Sequence, residues 1–223
     1  MRIFEFNSTA TITEAQIDPS IKKILTTKGY KFLGKGNDQD AYIAPDGNIL
    51  KIFGYEPGTE GFTRGQKSFI DFANYCMKNS NNKFLPQFYG WETFMFDGKQ
   101  YLQIKSERLF DIEKSKMNIV GNTLEYLAEI VDRHGALLGF KEFMNDFIDN
   151  PTWKGNTKPA QILISLLGGE EEVKLFCKTI EDLDTLADKK GYFFDLHKKN
   201  FMLGSDGEIV INDPFFSGSF RHR

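Results

Sequence analysis

The sequence predicts an α+β protein organised as an antiparallel sheet of five strands followed by a mostly helical portion. Two observations predict it. Residues 30 to 105 fall into short β-like runs separated by the turn signals PDGN and DGK. Beyond a crossover near Glu107 the apolar residues recur at helical spacing. With 223 residues, 40% hydrophobic and 26% charged, the chain is long enough for one large domain, or two small lobes, with a proper core. The 22 phenylalanines, often paired as in Phe193-Phe194, point to an aromatic core.

Each element follows in order. Arg2 to Phe6 reads as a short strand or arm, and TEAQIDPSIKKILTTKG as a helix ended by Gly29. YKFLGKG, DAYIA and NILKIF are three strands of an antiparallel meander between Tyr30 and Phe53. GFTRGQKSFIDFANYCMKN carries a helical stripe of Phe62, Phe69, Phe72, Ala73, Cys76 and Met77. PQFYGWETFMFDGKQYLQIKSERL gives two further strands. Thr123 to Asp132, Lys141 to Ile148 and Pro159 to Leu167 are candidate helices. Glu170 to Lys190 is the clearest helix, with glutamates in its first turn and lysines in its last, as the helix dipole favours. The chain then closes on a hairpin, Phe201-Met202-Leu203 against Ile209-Val210-Ile211, turning at Gly204 to Gly207.

Composition excludes several classes of function. Net charge is −3 and no long basic run occurs, against a dedicated nucleic-acid binder. Cys76 and Cys177 lack metal-ligand spacing and read as buried thiols of a reducing cytoplasm. No secretory signal and no membrane-length apolar run is evident, so a cytoplasmic protein is expected. His134, His222, Trp91 and Trp153 read as a surface histidine, a basic tail and two packing residues.

The chemistry concentrates at the closing hairpin. Folding it brings Asn200 and Asp213 to one open end, where facing side chains lie about 5 Å apart. A carboxylate and an amide oxygen together suit a hard cation such as Mg²⁺. Asp195, on the loop leading in, is placed to accept a proton from a hydroxyl. Each of the three alone reads better as a turn cap; together at this spacing they favour a site. Gly34 and Gly36 lie where bare backbone can approach phosphate oxygens, a weak signal by itself. Lys51, within ILKIF, reads equally as a phosphate contact or as a lysine snorkelling from a sheet edge.

The order of these features resembles the protein-kinase-like superfamily, in which a glycine loop covers ATP, a strand lysine contacts its α/β-phosphates, and D-x-x-x-x-N precedes a metal-binding aspartate. The matching stretches are GKGNDQDAY, Lys51 in ILKIF, DLHKKN from Asp195 to Asn200, and Asp213 in INDPF. The resemblance implies a bilobal protein-kinase-like fold, with residues 1–106 as N-lobe and 107–223 as a reduced, mostly helical C-lobe. It implies Asp195 as catalytic base, Asn200 and Asp213 as Mg²⁺ ligands, and Lys51 as catalytic phosphate contact. Gly34 and Gly36 would cover ATP, and the backbone of Ser106, Glu107 and Arg108 would hold the adenine as a hinge.

The chain departs from the pattern at several places. Gln39 stands at the third glycine position, Phe193-Phe194 replaces the usual His-Arg, and the metal motif reads Asp-Pro-Phe. No glutamate partner for Lys51 is evident among Asp71, Glu60 and Glu56. The sequence ends at Arg223, so no activation segment is expected beyond the metal motif. This ending looks most like the short serine/threonine kinases encoded by bacteriophages, which modify host proteins; the implied partner is a host protein in the bacterial cytoplasm. His197, giving D-x-H-x-x-N, suggests as an alternative a small-molecule kinase of aminoglycoside or choline type. Gln39 and the missing glutamate suggest another, a pseudokinase or nucleotide-binding inhibitor.

Overall fold

The computed structural model describes residues 17–36, 39–54, 61–149 and 164–216. The Arg2–Phe6 arm, Glu56, Glu60, Trp153 and His222 lie outside them. The first helix, α1 (Pro19–Thr27), begins later than the sequence suggests. Asp18 accepts a hydrogen bond from Ser20 N at 2.8 Å and Pro19 opens the helix, so an N-cap followed by proline sets its start. Gly29, at φ 85°, turns the chain into the sheet.

Five antiparallel strands follow: β1 (Lys31–Lys35), β2 (Gln39–Ile43), β3 (Ile49–Phe53), β4 (Phe88–Phe96) and β5 (Lys99–Ser106). Their spatial order is β1-β2-β3-β5-β4. α2 (Arg64–Lys78) separates β3 from β4 and starts on a reciprocal capping box between Thr63 and Gln66. The period-2 alternation of β3 divides the molecule's two cores. Leu50 and Ile52 pack with Ile21, Tyr42 and Tyr101 beneath α1. Phe53 faces the other way, into the main core with Phe69, Phe72 and Phe88.

The helical half holds α3 (Lys114–Asp149) and α4 (Glu170–Lys190). Thr123–Asp132 and Lys141–Ile148 are therefore parts of one longer element, broken only at Gly135 (φ 75°, ψ 167°). The chain reverses there, and Gly139 comes so close to Val131 that an added Cβ would sit 3.0 Å from its Cα. The segment after the break is capped from α4, where Glu181 Oε1 accepts from Ala136 N at 3.1 Å. Residues 164–167 are helical; the rest of the Pro159–Leu167 candidate lies outside the described residues.

The chain closes through β6 (Phe193–Phe194), a 3₁₀ turn (Lys198–Asn200), β7 (Phe201–Leu203), β8 (Ile209–Ile211) and β9 (Phe215–Phe216). The β7–β8 hairpin has the register expected from the sequence, whereas the β6–β9 pair was not foreseen. The aromatic core is real: Phe84, Phe176 and Phe201 pack in sequence between the hairpin and α4. Cys76 and Cys177 are buried free thiols, pushed up by burial. Trp91 is exposed, its indole N–H donating to Asn74 at the sheet surface. Among the described residues, no helix is long and apolar enough to cross a membrane.

Candidate active site

Two short ladders frame the site. Phe194 pairs with Phe215 in one and Phe201 with Ile211 in the other. Between them, residues 195–200 on one side face only residues 212–214 on the other. The surplus length is taken up by the 3₁₀ turn, where Asn200 N donates to His197 O at 2.8 Å. Two backbone hydrogen bonds tie the sides together: Asp195 N to Pro214 O at 2.8 Å and Asn212 N to Asn200 O at 2.7 Å. Asp213 sits between these bonds. Asp195, Asn200 and Asp213 are thus brought to one place, as the hairpin argument expects.

Asp213 has φ 53°, in the left-handed region that L side chains rarely adopt. Among the described residues the other non-glycine case is Asp97 at φ 48°. Asp97 precedes Gly98 (φ 71°) in the β4–β5 turn, and two successive positive values make the hairpin turn that Asp-Gly favours. Asp213 has no such role. Its conformation is imposed by the flanking bonds to Asn200 and Asp195.

The Asn200 amide is oriented. Its Nδ2 donates to the Asp195 carbonyl, which leaves Oδ1 as the end offered outward. With the Asp213 carboxylate this makes two hard oxygen donors, a set that fits Mg²⁺ with remaining positions for phosphate and water. No group of three or more His, Cys, Asp or Glu side chains is placed to hold a metal among the described residues. The hairpin is anchored to the rest of the fold by Ile211 N to Phe84 O (2.9 Å) and by the reciprocal 2.8 Å bonds of Phe110 and Leu203.

Lys51 lies on β3, the middle strand of the sheet, which removes the edge-lysine reading. Its ammonium sits over the Phe69 ring, 4.3 Å from the centroid. Phe69 meets Phe72, and Phe72 meets Phe215 edge-on at 5.8 Å. A run of aromatic rings therefore connects the sheet lysine to the residue after Asp213-Pro214. Asp71 is not the partner sought for Lys51, because its carboxylate binds Lys190 at 3.0 Å and the Tyr192 hydroxyl at 2.8 Å. Arg64, near the start of the same helix, donates to the Gly191 carbonyl. Sequence reading missed this docking of α2 onto residues 190–193, since no local pattern signals a contact over such a separation.

At the glycine loop, Gly36 N donates to Gln39 O at 2.7 Å, and the Gln39 side chain lies against Gly36. Space around Gly34 is open. At the expected hinge, Ser106 ends β5 between Ile49 and Phe88. Glu107 N donates to Gln87 O at 2.8 Å, while its carboxylate accepts from Gln87 N at 2.7 Å. The Glu107 N–H is therefore committed within the protein, and burial raises its carboxyl pKa. Arg108 folds its guanidinium over Phe110, 5.0 Å from the ring centre.

Comparison with protein-family models returns no match, and neither does comparison with curated proteins. Among solved structures the chain is similar to an aminoglycoside phosphotransferase from Alicyclobacillus acidocaldarius, at a TM-score of 0.35 and 10% identity, over 92% of this chain and 68% of that one.

A cleft of about 490 Å³ opens beside Asp195, on the side of α3. Glu125, Glu129, Asp132 and Arg133 line it from α3, and Asp195 and His197 from the loop. Glu125, Glu129 and Asp132 recur every three or four positions and share one helix face, with Arg133 four residues after Glu129. That spacing was visible in the sequence; its juxtaposition with Asp195 was not. His197 Nδ1 is buried there with no hydrogen-bond partner among the described residues.

Proposed function

We propose that this chain is an ATP- and Mg²⁺-dependent phosphotransferase of the protein-kinase-like superfamily, acting on serine or threonine hydroxyls of host proteins as short phage kinases do. The observation that carries the reading is Asp213, a left-handed aspartate that no turn explains, locked between Asn200 and Asp195. Such a conformation costs about 1–3 kcal/mol and persists where the surroundings over-determine it, which is typical of functional sites.

Asn200 Oδ1 and the Asp213 carboxylate would hold Mg²⁺, which when bound offsets the charge of the nucleotide phosphates. Lys51 contributes a cation on the inner face of β3, kept there by the Phe69 ring, where it neutralises phosphate oxygens. Gly34 leaves open space through which β1 backbone can approach a phosphate. The Ser106–Arg108 segment would meet the adenine without the Glu107 N–H, already bonded to Gln87. Asp195 is exposed at the end of β6, with its backbone fixed at both N–H and C=O. Its carboxylate is free to turn toward an acceptor and take the hydroxyl proton.

A second reading, a small-molecule kinase, is favoured by one observation: the cleft beside Asp195 has the volume of a small-ligand site. Labelled ATP incubated with bacterial lysate separates the two. Label on protein is expected with the wild type and none with Asp213→Ala; label confined to small molecules moves the assignment to the second reading. Asp195→Ala is expected to lower transfer by ~10²–10⁴-fold, the scale of a general base. Unchanged phosphorylation would remove Asp195 from that role.

A further inference from the structure

We infer that two copies of this chain associate through β4, edge to edge, so that their sheets join into one continuous antiparallel sheet. β4 is an outer strand, and its ladder to β5 uses only one of its two edges. Outside that ladder no backbone group from Tyr89 to Phe96 is bonded among the described residues. Tyr89, Trp91 and Met95 are exposed on the strand, Met95 by 66%.

The two outer edges of the sheet are built differently. β1 has five residues and carries Lys31 and Lys35, the short, lysine-bearing form that discourages pairing with another chain. β4 has nine residues, FYGWETFMF, without lysine or proline. Its one charge, Glu92, accepts a hydrogen bond from Gln103 within the sheet. A long, apolar, weakly charged edge is a template for another strand. Pairing β4 of one copy with β1 of the next would be head-to-tail and would not close on two chains. Pairing β4 with β4 closes at once and leaves the lysine-bearing edge outside.

Symmetry fixes the register. Facing residues of an antiparallel pair share a sheet face, so a two-fold axis through the pair sets one residue opposite itself. The bulge between Phe88 and Gly90 and the turn at Asp97-Gly98 confine the regular edge to residues 90–96, with Thr93 at its midpoint. Trp91 lies on the α2 face, against Phe62 and Asn74, and strand alternation puts Thr93 and Met95 there too. With Thr93 opposite Thr93, each Trp91 ring meets the second copy's Met95, an indole against a soft thioether. Glu92 then faces Phe94. Centring on Glu92 would oppose like charges, and centring on Phe94 would run Trp91 past the strand to Asp97. β5 stands between β4 and the strand of Lys51, so the paired edge holds none of Lys51, Asp195, Asn200 or Asp213.

Sedimentation of the full chain over a dilution series tests this. The wild type is expected at twice the chain mass when concentrated and to dissociate on dilution, since a single strand pair is a small interface. Thr93→Lys, at an exposed position, places two ammonium groups opposite each other and is expected to stay monomeric with an unchanged melting temperature. Thr93→Cys gives an independent reading. Facing residues of a ladder have Cα atoms about 4.5–5.5 Å apart, within disulfide reach, and the native Cys76 and Cys177 are buried. Under mild oxidation Thr93→Cys is expected to cross-link into a dimer that reduction reverses, and Lys31→Cys, on the opposite edge, is not. A wild type that is monomeric at every concentration overturns the inference. So does a dimer that survives Thr93→Lys, or cross-linking that is stronger from Lys31→Cys. A monomer that instead captures an extended peptide on β4, lost in Thr93→Lys, would also overturn it, giving the edge to a different partner.

Discussion

At the scale of single residues, Asp213 separates strain from function. Replacing it with glycine removes the carboxylate but suits φ 53°, so Asp213→Gly is expected to unfold within about 1 kcal/mol of the wild type and to transfer no phosphate. Asp213→Val keeps a side chain but cannot adopt this backbone at low cost, and is expected to lose about 1–3 kcal/mol in urea unfolding. A Val variant as stable as the Gly variant would show that the left-handed backbone is not held as described. Asp184 gives a pH test. Its folded pKa, about 6, lies above the ordinary 3.8 because burial and then Asp132 and Asp188 disfavour its charge. The native state therefore binds the proton more tightly than the unfolded chain. Its stabilising contribution is complete below about pH 4 and is lost as pH rises through about 6. Asp184→Asn is accordingly expected to melt higher than wild type at pH 7–8, with the difference disappearing near pH 4; an unchanged difference across that range would contradict the assignment. The positions of Asp195, Asn200 and Asp213 were legible because short polar residues bracket an alternating hairpin. The left-handed φ of Asp213 was not, since it comes from bonds to residues 195 and 200 and not from its own neighbours.

Among the secondary-structure elements, legibility followed the strength of local chemistry. α4 was readable to its ends because three glutamates open it, two lysines close it and Gly191 terminates it in the left-handed region. α3 was not: the sequence suggests two separate helices, Thr123–Asp132 and Lys141–Ile148, where one element is broken at Gly135 and continues through Gly139. Gly139 is present for close approach: an added Cβ would lie 3.0 Å from Val131 Cα and 3.1 Å from Val131 N, both backbone atoms that cannot step aside. Gly139→Ala is therefore expected to cost about 1–3 kcal/mol, the usual range for overpacking, measured as a lower urea midpoint at constant slope. An unshifted midpoint would mean that the two arms of α3 do not pack this closely. β6 and β9 escaped sequence reading for a different reason. Two residues are too few to show a period, and their pairing joins positions 193–194 to 215–216 across the hairpin between them. That missed ladder is half of the frame that holds Asp195 against Asp213.

For the whole molecule, the candidate site is composite. Lys51 comes from the sheet half, and Asp195, Asn200 and Asp213 from the helical half, with α2 touching both. Through Phe69 and Phe72 that helix reaches Lys51 and Phe215; through Asp71 and Arg64 it grips Lys190, Tyr192 and Gly191. A ligand that spans the two halves should therefore stabilise them as one unit. Ligand linkage gives about 2.7 kcal/mol at a ligand concentration 100 times Kd. With Mg·ATP the melting temperature is thus expected to rise by several degrees in the wild type. The rise should shrink in Lys51→Met, which removes the cation proposed to meet the phosphates, and vanish in Asp213→Gly, which loses the carboxylate without strain. Asp71→Asn provides the structural counterpart: it weakens the grip on Lys190 and leaves the half-buried Tyr192 hydroxyl without its charged acceptor, a loss of about 1 kcal/mol. If α2 couples the halves, that variant also gains less from Mg·ATP than the wild type does, although Asp71 touches none of Lys51, Asn200 or Asp213. Equal ligand-induced shifts in Asp71→Asn and wild type would confine α2 to packing, and no shift in the wild type would remove the nucleotide site itself.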